Sequence, residues 1–178
     1  MGPGPGTTTL HTKRGTAALL LVVSACTSMP FGGNRSADQL TAAITDVREA
    51  TEDRLILSSE RLAPFRTAAD GASEPEVRSQ GEHDPGWVDA LVGQGLVDEA
   101  CAAGAGCRPQ AGALLVRLSR PYDGRTGAFV DATIQSVLGN EGASVVQTRF
   151  VRFQIEEEPS GWRVVASTPL WESVGPTP

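Results

Sequence analysis

After Pro109 the apolar residues stop recurring every three or four positions and start to alternate. Leu114, Val116 and Leu118 alternate with Leu115, Arg117 and Ser119. Val130, Ala132, Ile134 and Leu138 do so with Asp131, Thr133, Gln135 and Val137. A period of two is the mark of a strand, because successive side chains leave opposite faces of the backbone. In a third segment Val146, Thr148 and Phe150 share one parity, whereas Val151, Phe153 and Ile155 take the other. A one-residue slip of that kind predicts a β-bulge that bends the sheet near Phe150 and Val151. Trp162, Val164, Ala166, Thr168 and Leu170 mark a fourth strand. The connections at 121–127, 139–143 and 158–161 are short and turn-rich, so the pattern predicts a four-stranded antiparallel meander.

Before Pro109 the period is helical. Leu40, Ala43, Ile44, Val47, Thr51 and Leu55 recur at spacings of three and four, with Ser58 and Leu62 extending the stripe. With Ser36 as N-cap, Asp38 in the first turn and Pro64 as stop, they predict one helix over 37–62. Arg48 and Glu52 form an attractive i,i+4 pair on its outer face, and Glu49 and Asp53 a repulsive one. Residues 65–86 are rich in Ala, Asp, Gly, Ser, Glu and Pro and predict a long loop. Trp87, Val88, Leu91, Val92, Leu96 and Val97 predict one or two short amphipathic helices, kinked at Gly93 or Gly95. The expected fold is therefore α+β: an N-terminal long helix and short helices packed on a curved four-stranded antiparallel sheet. A length of 178 residues suits one domain, placed here at 36–172 with a tail at 173–178.

With the final hairpin Pro159-Ser160-Gly161-Trp162-Arg163-Val164, residues 111–171 resemble the NTF2-like or cystatin-like superfamily. That resemblance implies a cone-shaped cavity between sheet and helix, used in some members for catalysis and in others for binding or assembly. A fold of this kind does not choose among those uses.

The first 26 residues read as an address. Lys13 and Arg14 precede an apolar stretch from Ala17 to Val23, and no acidic residue occurs before Asp38. A positive region, a short apolar region and small residues before a cut site predict a secretory signal over 1–25. The stretch falls short of the ~20 residues that cross a bilayer. Val23-Ser24-Ala25-Cys26 resembles the lipobox of bacterial lipoproteins, which implies that Cys26 is acylated and becomes the mature N-terminus. The alternative is an ordinary signal cleaved near Ala25 or Met29. Two or more acyl chains hold a protein firmly where one does so marginally. Residues 26–35 would then be a tether, reaching about 30 Å if extended.

Three cysteines are an odd number for an exported chain. Giving Cys26 to lipid leaves Cys101 and Cys107, whose Ala-Ala-Gly-Ala-Gly spacer bends easily enough to close a disulfide. Free thiols are the alternative. The spacing is not that of a redox Cys-x-x-Cys, and no nearby histidine completes a zinc site.

A net charge of −6 opposes broad attraction to a phosphate backbone, so no nucleic-acid partner is expected. The excess acid lies entirely before Arg108. An acidic face is repelled by anionic lipid, and the tether would hold the body off the membrane. His83 is the sole histidine after the leader, between Glu82 and Asp84, whose charges would raise its pKa. Any Ser-His-Asp catalysis would have to run through His83, which makes it a third catalytic candidate, but a lone loop histidine is usually solvated. There is no Gly-x-Ser-x-Gly elbow, no phosphate-cradling glycine loop and no metal-ligand cluster, so neither cofactor nor metal is expected. If the family resemblance extends to catalysis, it would use a carboxylate with a tyrosine nearby, and Asp131 and Tyr122 are the candidates; their plainer readings are an outward strand Asp and a turn Tyr. Glu156, Glu157 and Glu158 are read as a solvated charge run.

These features lead to one main expectation: a lipid-anchored protein on the outer face of the cell membrane, held through Cys26. It would be a non-catalytic binding or accessory module for a protein partner or small apolar ligand. The alternatives are a small cavity enzyme using Asp131, and a component of an envelope assembly docking through the acidic helix and the 65–86 loop.

Overall fold

The computed structural model describes residues 34–66, 74–104, 107–139 and 145–176. Strand accounts for 53% of these and helix for 19%, in two helices, so sheet dominates more than the sequence pattern suggests. The helices are α1 (Arg35–Glu49) and α2 (Pro85–Gly93). The strands are β1 (Arg54–Leu62), β2 (Ser79–Glu82), β3 (Glu99–Cys101), β4 (Ala113–Ser119), β5 (Tyr122–Gly124), β6 (Gly127–Leu138), β7 (Val145–Glu158) and β8 (Gly161–Pro176).

All eight strands belong to one mixed sheet of order β2-β1-β4-β6-β7-β8, with β3 beside β1 and β5 beside β6. The expected four-stranded antiparallel sheet is thus corrected. The meander β4-β6-β7-β8 is present, and β1 extends it by lying parallel to β4, with β3 parallel to β1. Parallel neighbours need a crossover, and the segment holding α2 supplies one.

The single helix expected over 37–62 is two elements. α1 starts from Asn34, whose side chain accepts from the Ala37 amide at 3.4 Å, and ends at Glu49. Leu55, Ile56 and Leu57 are then buried in succession, which one stripe of a helix cannot achieve but a strand covered on both faces requires. Arg48 therefore does not pair with Glu52. Its guanidinium reaches Asp98 and the Leu96 and Asp53 carbonyls, tying the helix end to the chain after α2. The 65–86 loop contains β2, one short helix stands where one or two were expected, and the supposed tail from residue 173 is strand as far as Pro176.

The anticipated bulge is real but sits in the partner strand. β7 pairs with β6 in unbroken register from Ala128↔Ile155 to Leu138↔Val145. Against β8 the register shifts between Phe150 and Val151 and again between Gln154 and Ile155, leaving Leu170 and Val165 as the extra residues. The change of parity in β7 is instead a change of buried face. Phe153 and Ile155 join the main core under the helices, whereas Phe150 packs with Leu62 and Phe65 on the other side.

Both faces of the sheet are thus covered. The main core joins Leu40, Ile44 and Val47 of α1 and Trp87, Val88 and Leu91 of α2 to Leu55, Leu57, Val116, Leu118, Val130 and Phe153. Trp87 Nε1 donates to Thr41 Oγ1 at 3.0 Å and locks the two helices together. The outer face carries two smaller clusters, one under Phe65 and one under the cysteine loop.

Candidate functional site

Asp131 is fully buried on the outer face, which corrects the expectation of an outward strand carboxylate. Its cross-strand partner is Arg152, whose Nε and Nη2 reach Oδ1 and Oδ2 at 2.7 and 3.0 Å. Tyr122 donates to the same carboxylate at 3.0–3.1 Å, and the Phe65 amide donates to Oδ2 at 2.7 Å. Arg152 Nη2 also donates to the Phe65 carbonyl at 3.1 Å, and Ser119 Oγ accepts from the Asp131 amide at 2.9 Å. Burial, and then the Asp131 charge, push the Tyr122 hydroxyl well above its ordinary pKa. The two residues that the family resemblance singled out do meet. The Asp131 oxygens are occupied by protein donors, Tyr122 among them, in a knot that ties Phe65 to β6 and β7.

His83 is buried rather than solvated. Its Nε2 lies 3.3 Å from the Leu118 carbonyl, and its ring packs on Trp87 at 5.1 Å between centroids. The expected rise in pKa is reversed. Desolvation holds it down to about 4, with the Arg61 charge helping and the Leu118 hydrogen bond opposing. Buried and neutral, it acts as a packing and hydrogen-bonding group beneath α2.

Cys101 and Cys107 are joined as a disulfide, with Cα atoms 5.2 Å apart. The bridge caps Ile56, Ala113 and Leu115 on the outer face. Val23, Ser24, Ala25 and Cys26 lie outside the described residues. So do residues 26–33 of the expected tether; its last two, Asn34 and Arg35, begin α1. Glu156 and Glu157 are exposed, Glu158 is half-buried, and Arg163 binds Glu158 at 2.6 Å. No group of three or more metal-ligating side chains occurs among the described residues, and none of their helices is long and apolar enough to cross a membrane.

The other face holds a cleft. α1 packs on this face: Arg35 at one end lies over the Trp162 ring, and Val47 near the other lines the cleft with Leu114 and Ile134. One corner of the sheet, where β6 ends, β7 begins and β8 finishes, is left open beside the helix. There a cleft of about 560 Å³ forms. Its floor is Leu114, Ile134, Val151 and Phe153, and its helix-side wall is Asp46, Val47, Ala50, Thr51 and Asp53. Burial, with Glu49 adding repulsion, raises the pKa of Asp46. The opposite wall carries Gln147, Arg149 and Ser167. A second depression of about 370 Å³ shares Arg149, Val151 and Ser167 and runs onto β8 beside Trp171. Leu138 and Val174 at this corner are exposed apolar side chains; Trp171, across from Phe150, is also exposed.

Arg149 was not singled out by the sequence pattern. It breaks the apolar row of β7 two residues before Val151, and that interruption is the signal that would have found it. Glu172 stands directly across the strand pair, yet it accepts from Gln147 Nε2 at 2.7 Å. The Arg149 side chain makes no hydrogen bond or ion pair with the described residues. Asp131 is not among the cleft residues, because it faces the other side of the sheet. Comparison with protein-family models, with curated proteins and with solved structures gives no match.

Proposed function

We propose that the protein is a membrane-anchored extracytoplasmic bacterial lipoprotein whose domain is a binding module, with the cleft beside the C-terminal end of α1 as its binding surface. The cleft is the observation that carries this reading. Its volume falls within the ~300–1,000 Å³ typical of small-molecule sites, and it combines an apolar floor with a few polar groups at the walls. Exposed apolar side chains gathered at one corner also suit a contact surface. The cleft lies between helix and sheet, where the resemblance to NTF2-like domains puts a cavity. A catalytic use of Asp131 lacks such support, since its oxygens are occupied and it faces away from the cleft.

The address rests on the lipobox and on cysteine pairing. A disulfide at Cys101–Cys107 suits an oxidising compartment and leaves Cys26 for acylation. Bacteria making the full chain and fed an alkyne-tagged palmitate test the anchor. The label and the membrane-bound fraction are expected to disappear together in Cys26→Ala, and an unlabelled, soluble wild-type protein would refute the anchor. For the cleft, an uncharged apolar fluorophore such as N-phenyl-1-naphthylamine is expected to brighten on the full chain and to lose that signal in Ser136→Trp, which fills the cleft. Unchanged brightening in the variant would place the binding elsewhere.

A further inference from the structure

We infer that the cleft recognises an amphipathic monocarboxylate, its head held by Arg149 and its apolar body lying on Ile134, Val151 and Phe153. The inference rests on the binding-module reading above and adds the chemistry of the ligand. A guanidinium presents a planar fork of donors that matches a carboxylate in two parallel hydrogen bonds. Three arginines that pack closer to the core use their guanidinium internally: Arg48 on Asp98, Arg117 on Glu60 and the Cys107 carbonyl, Arg152 on Asp131. Arg149 stands over an apolar floor with its cross-strand acid engaged by Gln147. A cation set against apolar surface, with low-dielectric protein on one side, binds an anion more strongly than one surrounded by water.

The far wall decides the charge of the ligand. Asp46 and Asp53 line it, and the α1 carbonyls end there, so both side-chain charge and helix dipole are negative. A second anionic group on the ligand would meet that wall and be repelled. The depression shared along Arg149, Val151 and Ser167 gives a linear chain room to leave toward β8. A single head with an apolar tail is what this distribution of charge accepts.

Calorimetric titration of the full chain with decanoate, 1-decanol, decylamine and the dicarboxylate sebacate tests this. Decanoate is expected to bind about tenfold or more tightly than decanol, decylamine and sebacate, as a charge-assisted bidentate pair implies. Arg149→Gln is expected to reduce decanoate to the level of decanol, and Arg149→Lys to restore part of the difference. Thermal unfolding of both variants checks that the fold is intact. If decanoate and decanol bind alike, both indifferent to Arg149→Gln but blocked by Ser167→Trp, carboxylate recognition is overturned while the binding cleft stands. Tighter binding of decylamine has the same consequence and hands control to the acidic wall. If no probe binds, or if binding survives Ser167→Trp, the cleft itself is overturned as the site.

Discussion

The two faces of the sheet use charge in opposite ways. On the outer face Asp131 is fully buried beside Phe65, and its two oxygens share four donors: the Phe65 amide, the Tyr122 hydroxyl and Arg152 Nε and Nη2. On the helix side Arg149 stands at the rim of an apolar floor, with its cross-strand acid engaged elsewhere. Burying an ionised group is costly unless its pairing is complete, so a saturated carboxylate belongs to the architecture. A cation beside apolar surface and without a protein partner leaves its donors to solvent or to the proposed ligand. The comparison separates holding from binding: the residues that look most like chemistry do the holding.

The sharpest way to break that division is Asp131→Ala. It would strand the Arg152 guanidinium, the Tyr122 hydroxyl and the Phe65 amide, at a cost of about 3–5 kcal/mol in urea unfolding. A fold that tolerated the change while losing an activity would move Asp131 from architecture to function. His83 gives the next largest effect, on the helix side. Its folded pKa of about 4 lies below the unfolded 6.5, so between those values the unfolded chain takes up a proton that the folded chain refuses. Stability is expected to fall as pH drops through this window, by about 3 kcal/mol at its lower end. His83→Gln should flatten that part of the profile, and an unchanged slope would show that the imidazole is not the source. Reducing Cys101–Cys107 should cost about 2 kcal/mol, since the closed loop is short. A much larger loss would mean that the bridge organises more of the outer face than Ile56, Ala113 and Leu115. The smallest expected effect is that of Arg149→Gln, within about 0.5 kcal/mol by thermal unfolding, because an exposed side chain without protein partners contributes little. A loss near that of Asp131→Ala would erase the contrast between the faces.

Much of the sheet was legible because β4, β6 and β7 set polar residues such as Arg117, Asp131, Thr133 and Arg152 opposite an apolar helix-side row, even where those polar residues are buried. β4, β6, β7 and β8 follow from Leu114, Val130, Phe153, Trp162 and their period-two neighbours. β1 was not legible for the same physical reason. Both of its faces are apolar here, so Leu55, Ile56 and Leu57 run on without alternating, and Leu55 happens to continue the helical spacing of Ile44 and Val47. The parallel pairing of β1 with β4 is non-local, and no spacing within either segment encodes it. The site was less legible. The pairing of Leu138 with Val145 places Asp131 opposite Arg152, whereas a connection confined to 139–143 would have put it opposite Val151, so that pair was not readable from the hairpin. Nor was the Phe65 amide, because it approaches from 66 residues away. His83 sits among polar neighbours in sequence, and only the packing of Trp87 against α1 removes it from water. The cleft is lined from α1, β4, β6, β7 and β8 together, a tertiary fact without a local signature.

The central claim is that the open corner of the helix-side face binds and the outer face holds. Methyl and backbone NMR spectra of the full chain, recorded during titration with decanoate, test it most directly. Shifts are expected at Ile134, Val151, Phe153 and Ser167, with Asp131, Phe65 and Tyr122 unmoved. Shifts centred on Asp131 and Tyr122, with the cleft signals still, would contradict it.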